Sequence, residues 1–286
     1  MRRFNRAVTQ RVGALTDRYL SRDRTLGASR VLWEIGTEGC EVRSLRARLA
    51  LDSGQLSRLL RGLEADGLVE VIPGPVDRRV RFARLTSKGQ DERAVLDTRS
   101  DELAMSILGP LDDRQRGDLV EAMRTVERLI TTSLVEIRTV DPAGADAKRC
   151  LRAYFAELER RSELPFDPSK GISAEPHELR PPAGAFLVAY LRREAIGCAA
   201  IKHHPGAPSD IKRMWVAESA RGLGIGRRML GALEQLARDR QAPATRLDTN
   251  KALVEAIALY RSSGYREVPA FSDDPFAHHW FEKVLV

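Results

Sequence analysis

A chain of 286 residues, 43% hydrophobic and 30% charged, carries enough apolar side chain for packed cores and reads as globular, neither disordered nor fibrous. No apolar run reaches the roughly 18 residues of a membrane-spanning helix, and the basic Met1–Gln10 segment lacks the apolar stretch of a signal peptide, so no membrane partner and a cytoplasmic location are expected. The formal charge of +7 admits an anionic partner but suits a merely soluble surface as well.

Cys40, Cys150 and Cys198 lie far apart. They show neither metal-ligand spacing nor an even disulfide set, so they read as small buried hydrophobes in a reducing compartment, and no metal is expected. In chain order, Phe4, Val8, Val12, Leu15 and Tyr19 recur at helical spacing. "LGASRVLWEIG" and "EVRSLRARLA" are two further helices. In "DSGQLSRLLRGLEADG", Asp52 and Gln55 have the spacing of a capping box, and Leu56, Leu59, Leu60 and Leu63 form one apolar stripe. Gln55, Ser57, Arg58 and Arg61 occupy the opposite face. "LVEVIP" and "VRFARLT" read as strands of a hairpin. Two helices follow, the last over roughly Arg114–Ile137 on the stripe Met123, Val126, Ile130, Leu134 and Ile137.

Pro, Gly and small residues in Val140–Ala147 then mark a boundary, giving domains at 1–140 and 141–286. Beyond it, short β-rich runs alternate with helices. "FLVAYL", "AIGCAAIKHH", "DIKRMWV", "TRLDT", "YREV" and "HHWFEKVLV" read as strands. "ALVEAIALYRSSG" and the stretch after the glycines at 222, 224 and 226 read as helices. The fold class is therefore two domains: a mainly α domain with a small hairpin, then an α/β domain with a mixed sheet.

A helix with an apolar back and a polar, basic front suits the DNA major groove, where Arg bridges two acceptors of guanine. Residues 43–84 hold nine Arg against five Asp or Glu. Arg78, Arg79 and Arg81 cluster on the hairpin, where cations favour phosphate or minor-groove contact. "SGQLSRLLRGLEADGLVEV", with Asp77 and Arg79 in "DRR" and with Leu85, Thr86 and Gly89 in "LTSKG", resembles the MarR family of winged helix-turn-helix regulators over about residues 1–138. The resemblance implies a homodimer joined through its first and last helices on double-stranded DNA. It also implies that Gln55, Ser57, Arg58 and Arg61 face the major groove and that Arg79 lies in the wing.

"RGLGIGRRML" opens a helix directly after a strand. It lacks the Gly-Lys-Ser/Thr end of a P-loop and the third glycine of a dinucleotide fingerprint. Backbone N–H groups at such a helix mouth, with Arg221 and Arg227 beside them, suit a pyrophosphate. This loop, with "IKRMWV", "LDTN" and "ALYRSSGY", resembles the GNAT superfamily of acyl-CoA-dependent N-acetyltransferases over about residues 136–286. The resemblance implies acetyl-CoA, its pyrophosphate on Arg221, Gly222, Leu223, Gly224, Ile225, Gly226 and Arg227, and its pantetheine arm along Met214, Trp215 and Val216. Asn250 and Tyr260 match cofactor-side positions, and Tyr260 matches the acid that protonates the leaving sulfur. Asp210 stands where many relatives carry an acid, as a candidate base; His203, His204, His278 and His279 are alternatives. "FAHHWFEK" brings His278, His279 and Trp280 together as a candidate border of the acceptor pocket. The function expected is DNA-binding regulation joined to acetyl transfer onto a small-molecule amine, an amino acid or related compound. A regulator whose second domain only senses a ligand, and an enzyme acting on protein lysines, are the alternatives.

Overall fold

The computed structural model describes residues 1–14, 18–75, 77–161 and 174–285. Two compact units divide them, Met1–Met123 and Arg124–Val286. The first holds α1 (Arg2–Arg11), α2 (Leu26–Ile35), β1 (Cys40–Glu41), α3 (Val42–Leu49), α4 (Ser53–Ala65), β2 (Val69–Pro73), β3 (Arg81–Leu85), α5 (Ser87–Leu108) and the start of α6 (Asp113–Ser133).

The cap expected at Asp52 forms: its carboxylate accepts from Gln55 N at 2.7 Å, and Gln55 Oε1 accepts from Asp52 N at 3.3 Å. The α4 stripe then buries Leu56, Leu60 and Leu63 against Val31, Leu32 and Ile35 of α2, Leu45 of α3 and Leu96 of α5. Each such side chain contributes about 1.5–3 kcal/mol through removal from water. The strands pair antiparallel in the order β1-β3-β2, with Val69 opposite Leu85 and Val71 opposite Ala83. The "LT..G" element has a direct cause. Thr86 caps α5 by accepting from Gly89 N at 3.0 Å, and a Cβ on Gly89 would stand 2.0 Å from the Leu68 carbonyl oxygen. Glu92 on α5 accepts a two-point bond from Arg22 at 2.9 and 2.6 Å and one from Arg24 at 2.9 Å.

The first helix is shorter than its stripe suggests. It stops at Arg11, Tyr19 begins a 3-10 turn, and Leu15 falls outside the described residues. The last helix also stops early, at Ser133. Val135 and Ile137 alternate in β4 (Val135–Val140), which pairs with the next strand through six registered residues. Residues 134 and 137 fit a helix as well as a strand, and tertiary pairing decides. β4 and the division at Met123 place Val140–Ala147 inside the second unit, as the turn that enters α7 (Ala145–Arg161). The sequence reading assigns α7 no element, although Ala147, Cys150, Leu151, Tyr154 and Leu158 have helical spacing.

The second unit continues with β5 (Gly184–Leu191), β6 (Glu194–Lys202), β7 (Ser209–Val216), α8 (Ile225–Asp239), β8 (Ala244–Thr249), α9 (Val254–Ser262), β9 (Arg266–Glu267) and β10 (His279–Val284). Its seven strands run β4-β5-β6-β7-β8-β10-β9. Neighbours pair antiparallel except β7 and β8, which are parallel and bridged by α8, as parallel neighbours require a long crossover. Alternate side chains load the two faces. Leu187, Ala199, Ile211, Leu247 and Phe281 share a core with α8 and α9. Phe186, Val188, Cys198 and Ala200 share one with Ala147 and Cys150 of α7. β7 and β8 register only at Ser209–Thr245 and Asp210–Arg246. Beyond those pairs the strands part, and the sheet opens.

Candidate cofactor groove and DNA-reading surface

In the first unit, Arg58 and Arg61 are exposed on α4. Ser57 is half-buried, and its carbonyl accepts from Arg61 Nε at 3.3 Å. Gln55 is exposed, with its amide oxygen engaged in the cap. In the hairpin turn, Asp77 accepts from Arg79 N at 2.9 Å and from the Arg79 guanidinium at 3.2 and 3.1 Å. Those bonds hold the Asp77 carboxyl below its ordinary range and fix the turn, while 91% of the Arg79 side chain stays in solvent. Arg78 and Arg81 are exposed beside it. A recess of ≈ 380 Å³ lies between the turn and the helices, edged by Arg43, Arg46, Ser53, Ser57, Arg79 and Arg81. Arg43 and Arg46 of α3 also edge this recess. They stand in the arginine-rich 43–84 stretch but not on the reading helix.

In the second unit, a groove of ≈ 440 Å³ opens where β7 and β8 part. The volume is that of a small-molecule site. One end is the glycine loop: Gly222 (φ 78°) and Gly224 (φ 71°) have left-handed backbone, and nothing lies within 4 Å of a Cβ built on either. Gly224 is the N-cap of α8 with no side-chain cap, and the first helical bond is Arg228 N to Gly224 O at 3.1 Å. Among the described residues, the N–H groups of Gly222 to Arg227 meet no protein acceptor. Such a mouth, with the dipole of a 15-residue helix behind it, is an anion site. Met214, Trp215 and Val216 form one wall, on the β7 edge that β8 leaves unpaired. Tyr154, Glu157 and Arg161 of α7 and Glu255 of α9 form the other sides.

The predicted residues divide. Met214, Trp215, Val216, Arg221, Gly222, Gly224, Ile225, Gly226 and Arg227 all line the groove, whereas Leu223 packs against the core. Arg221 is turned away from the amides. Its guanidinium donates to both Glu157 oxygens at 2.6 Å and to the Val216 carbonyl at 3.2 Å. Glu157 is buried and also accepts from Trp215 Nε1 at 2.9 Å, so despite the desolvation that opposes it the carboxyl lies below its ordinary range. Arg227 donates to Ser262 O and Oγ at 3.2 and 2.9 Å. Asn250 braces a loop, accepting from Ala252 N at 2.9 Å and donating to Phe276 O at 3.0 Å.

Tyr260 is buried next to Tyr265 and Phe281, at ring-centroid distances of 6.0 and 5.9 Å, outside the groove lining. Burial pushes its phenol strongly up, so it holds its proton. Asp210 accepts from Arg246 Nε at 2.6 Å and pairs with His204 Nε2 at 3.0 Å. It lies four residues before Met214, roughly 13 Å along an extended strand. His203 contacts Ser209 Oγ at 3.0 Å, and burial lowers its pKa. His279 contacts Glu267 Oε1 at 2.6 Å and stacks on Phe281, whereas Trp280 points to the opposite face. His278 is exposed. The "HHW" triplet therefore does not converge on one pocket.

Residues 151–265 match the acetyltransferase (GNAT) family, and residues 23–80 match the MarR family. The chain is 34% identical over 137 residues to the uncharacterized N-acetyltransferase C1271.07c of Schizosaccharomyces pombe, covering 80% of that protein. The chain belongs to the GNAT N-acetyltransferases. Its N-terminal region is a MarR-type winged helix. A second relative, the IAA acetyltransferase of Azospirillum brasilense, is 40% identical over 83 residues, and this chain spans about half of it, 54%. Among solved structures, the putative acyl-CoA N-acyltransferase of Klebsiella pneumoniae matches at 30% identity and TM-score 0.45, covering 54% of this chain and 99% of that one. As a GNAT enzyme the protein is acetyl-CoA-dependent. The uncapped amides of Gly222–Arg227 and the open β7 edge fit that cofactor's pyrophosphate and its amide-bearing arm. Among the described residues, no helix is long and apolar enough to cross a membrane.

Proposed function

We propose that this GNAT enzyme acetylates a small-molecule amine, with amino acids and related compounds as the first acceptor class, and that its MarR-type unit binds double-stranded DNA as a homodimer. One observation carries the cofactor side: the free amides at the uncapped start of α8, facing a groove that continues along β7. Acetyl-CoA brings an acyl group activated as a thioester. The chain's amides from Gly222 to Arg227 neutralise the pyrophosphate, and the Met214–Val216 edge takes the arm as an added strand. Tyr260, protonated by burial, is the proton donor for the leaving sulfur. Asp210 shares its oxygens with Arg246 and His204 and takes up the amine proton through intervening groups rather than by contact.

On the DNA side, Gln55, Ser57, Arg58 and Arg61 face the major groove, and Arg78, Arg79 and Arg81 the backbone. Phe4 and Val8 of α1, Met105 of α5 and Met123 of α6 are exposed apolar residues of the first unit that fit the dimer contact. Sedimentation as a dimer at micromolar concentration tests this, and a monomer at all concentrations overturns it.

A sensor without turnover is the second reading, favoured by the absence of Tyr260 from the groove lining. Calorimetry with acetyl-CoA on the wild type and on Gly224→Trp, followed by thiol release across an amine panel, decides. Micromolar binding lost in the variant, with turnover, supports the enzyme reading. Binding without turnover on any amine supports the sensor.

A further inference from the structure

Where β7 and β8 part, the next position on each strand beyond the last registered pair is apolar and buried, Ile211 and Leu247, and the one after it is charged, Lys212 and Asp248. Lys212 Nζ donates to Asp248 Oδ1 at 2.5 Å across the opening, and the two side chains are only 14% and 12% exposed. Neither side chain lines the cofactor groove, but Lys212 stands two residues from the groove-lining Met214 on β7, roughly 7 Å along the strand. The pyrophosphate amides mark the outer end. An arm held by the Met214–Val216 edge would bring its thioester toward this end of β7, and Lys212 and Asp248 would then stand near an incoming acceptor.

The surroundings are those of a binding site rather than a core. Trp280 lies directly across from Asp248 in the β8–β10 register. Arg213, at a left-handed φ of 58° where the β6–β7 register shifts, holds its guanidinium 4.9 Å from the Phe155 ring. Tyr154 is half-buried, its ring centroid 5.3 Å from that of Phe155. Burial raises its phenol, and the charges of Asp248 and Asp274 add to the rise while Arg213 opposes it. Trp280 thus neighbours the ion pair on β10, and Arg213, next to Lys212 in the chain, reaches the aromatic pair Phe155 and Tyr154. A structural ion pair replaced by hydrophobic residues is often neutral for stability, so fold stability alone gives no reason for one at this position.

We propose that Lys212 and Asp248 are the specificity pair for a zwitterionic acceptor, a free α-amino acid whose ammonium takes Asp248 and whose carboxylate takes Lys212. The ion pair is the template of the ligand. An amino acid carries the same two charges about as far apart as the pair holds them, and insertion exchanges one internal pair for two. The flexible stem of Lys212 permits the exchange. An acceptor with an amine but no carboxylate would leave Lys212 buried without a counter-charge, a penalty that gives discrimination. This inference rests on the acetyl-transfer reading above but goes further, because it excludes a lysine side chain and a peptide N-terminus as the preferred acceptor.

The test uses the full chain and three pools: the common α-amino acids, their primary amides and their decarboxylated amines. Saturation-transfer NMR without cofactor reads binding, and thiol release with acetyl-CoA reads turnover. Lys212→Gln together with Asp248→Asn removes both charges and orphans neither. Its acetyl-CoA affinity, expected within about twofold of wild type, shows that the fold is intact. The expected result is that at least one amino acid binds about tenfold or more tighter than its amide or amine, and that the double variant erases the difference. Equal binding of amides or amines, a preference that survives in the double variant, or no amino acid bound overturns the proposal. Amines turned over regardless of the carboxylate sink the specificity pair and leave acetyl transfer standing. Charge-dependent amino acid binding without thiol release leaves the pair standing and sinks acetyl transfer.

Discussion

The two units solve molecular recognition with different parts of the chain. The winged-helix unit presents side chains: Arg58, Arg61, Arg78 and Arg81 stand in solvent, and 91% of the Arg79 side chain does too. The acetyltransferase unit presents backbone, and its groove-lining arginines are committed elsewhere, Arg221 to Glu157 and Arg227 to Ser262. A surface that reads with side chains loses function one contact at a time. A cradle of amides fails when its backbone path is blocked. Substitutions in the two units therefore have different signatures.

The largest effect is expected at the cradle. Gly224→Val forces a branched side chain into a left-handed position and should weaken acetyl-CoA binding by more than about 100-fold, with DNA affinity within about twofold. Calorimetry and a DNA shift assay on the same preparation read both, and a loss of both would break the contrast between the units. Next is Tyr260→Phe. Loss of the proton donor should lower kcat roughly 100-fold and leave acetyl-CoA affinity unchanged. A kcat within about twofold of wild type would remove Tyr260 from the chemistry.

A third variant probes the scaffold under the reading helix. Glu92→Gln removes a carboxylate that Arg22 and Arg24 hold, and should cost about 2 kcal/mol, read by denaturant or by exchange of α5 amides. The Arg22 hydrogen bond holds the Glu92 carboxyl below its ordinary 4.5, against the opposing effect of burial. Its contribution is thus present above pH 4.5 and lost as pH falls through the lower folded value. An acid-unfolding profile of the first unit that is unchanged in Glu92→Gln would exclude this lock. The smallest effect is at one reading side chain. Arg58→Ala should weaken operator binding about tenfold, or roughly 1.4 kcal/mol, and leave acetyl transfer untouched. A uniform loss on all sequences, with a reduced salt slope, would reassign Arg58 to the phosphates.

Much of this was legible in residue patterns with a single structural meaning. The Asp52–Gln55 cap, the α4 stripe, the hairpin and the uncapped glycine mouth each follow from local chemistry, and all form where they were expected. Patterns with two meanings were harder. Ile137 fits a helix and a strand, and only β5 shows which. Asn250 sits next to a matching motif, yet its amide is consumed by Ala252 and Phe276. Glu157 and the Lys212–Asp248 pair carry no sequence signature, because their partners are 64 and 36 residues distant in the chain. The period-two arithmetic that separates His279 from Trp280 was available in the sequence, and only the adjacency of the aromatic residues suggested otherwise.

The strand Val135–Val140 has a practical consequence for anyone who divides this protein. Cutting at Asp141, where proline and glycine invite it, would strip β4 from β5 and unpair the six residues from Phe186 to Leu191. It would also remove the Thr132 and Val135 carbonyls that accept from Arg228, and the Thr132 hydroxyl that donates to the Leu223 carbonyl in the glycine loop. What remains is a long apolar strand at an uncovered sheet margin, the usual seed of intermolecular stacking. A fragment starting near Arg124 keeps that margin closed, so the enzyme half should stay monodisperse only when it brings the end of the regulator's last helix with it.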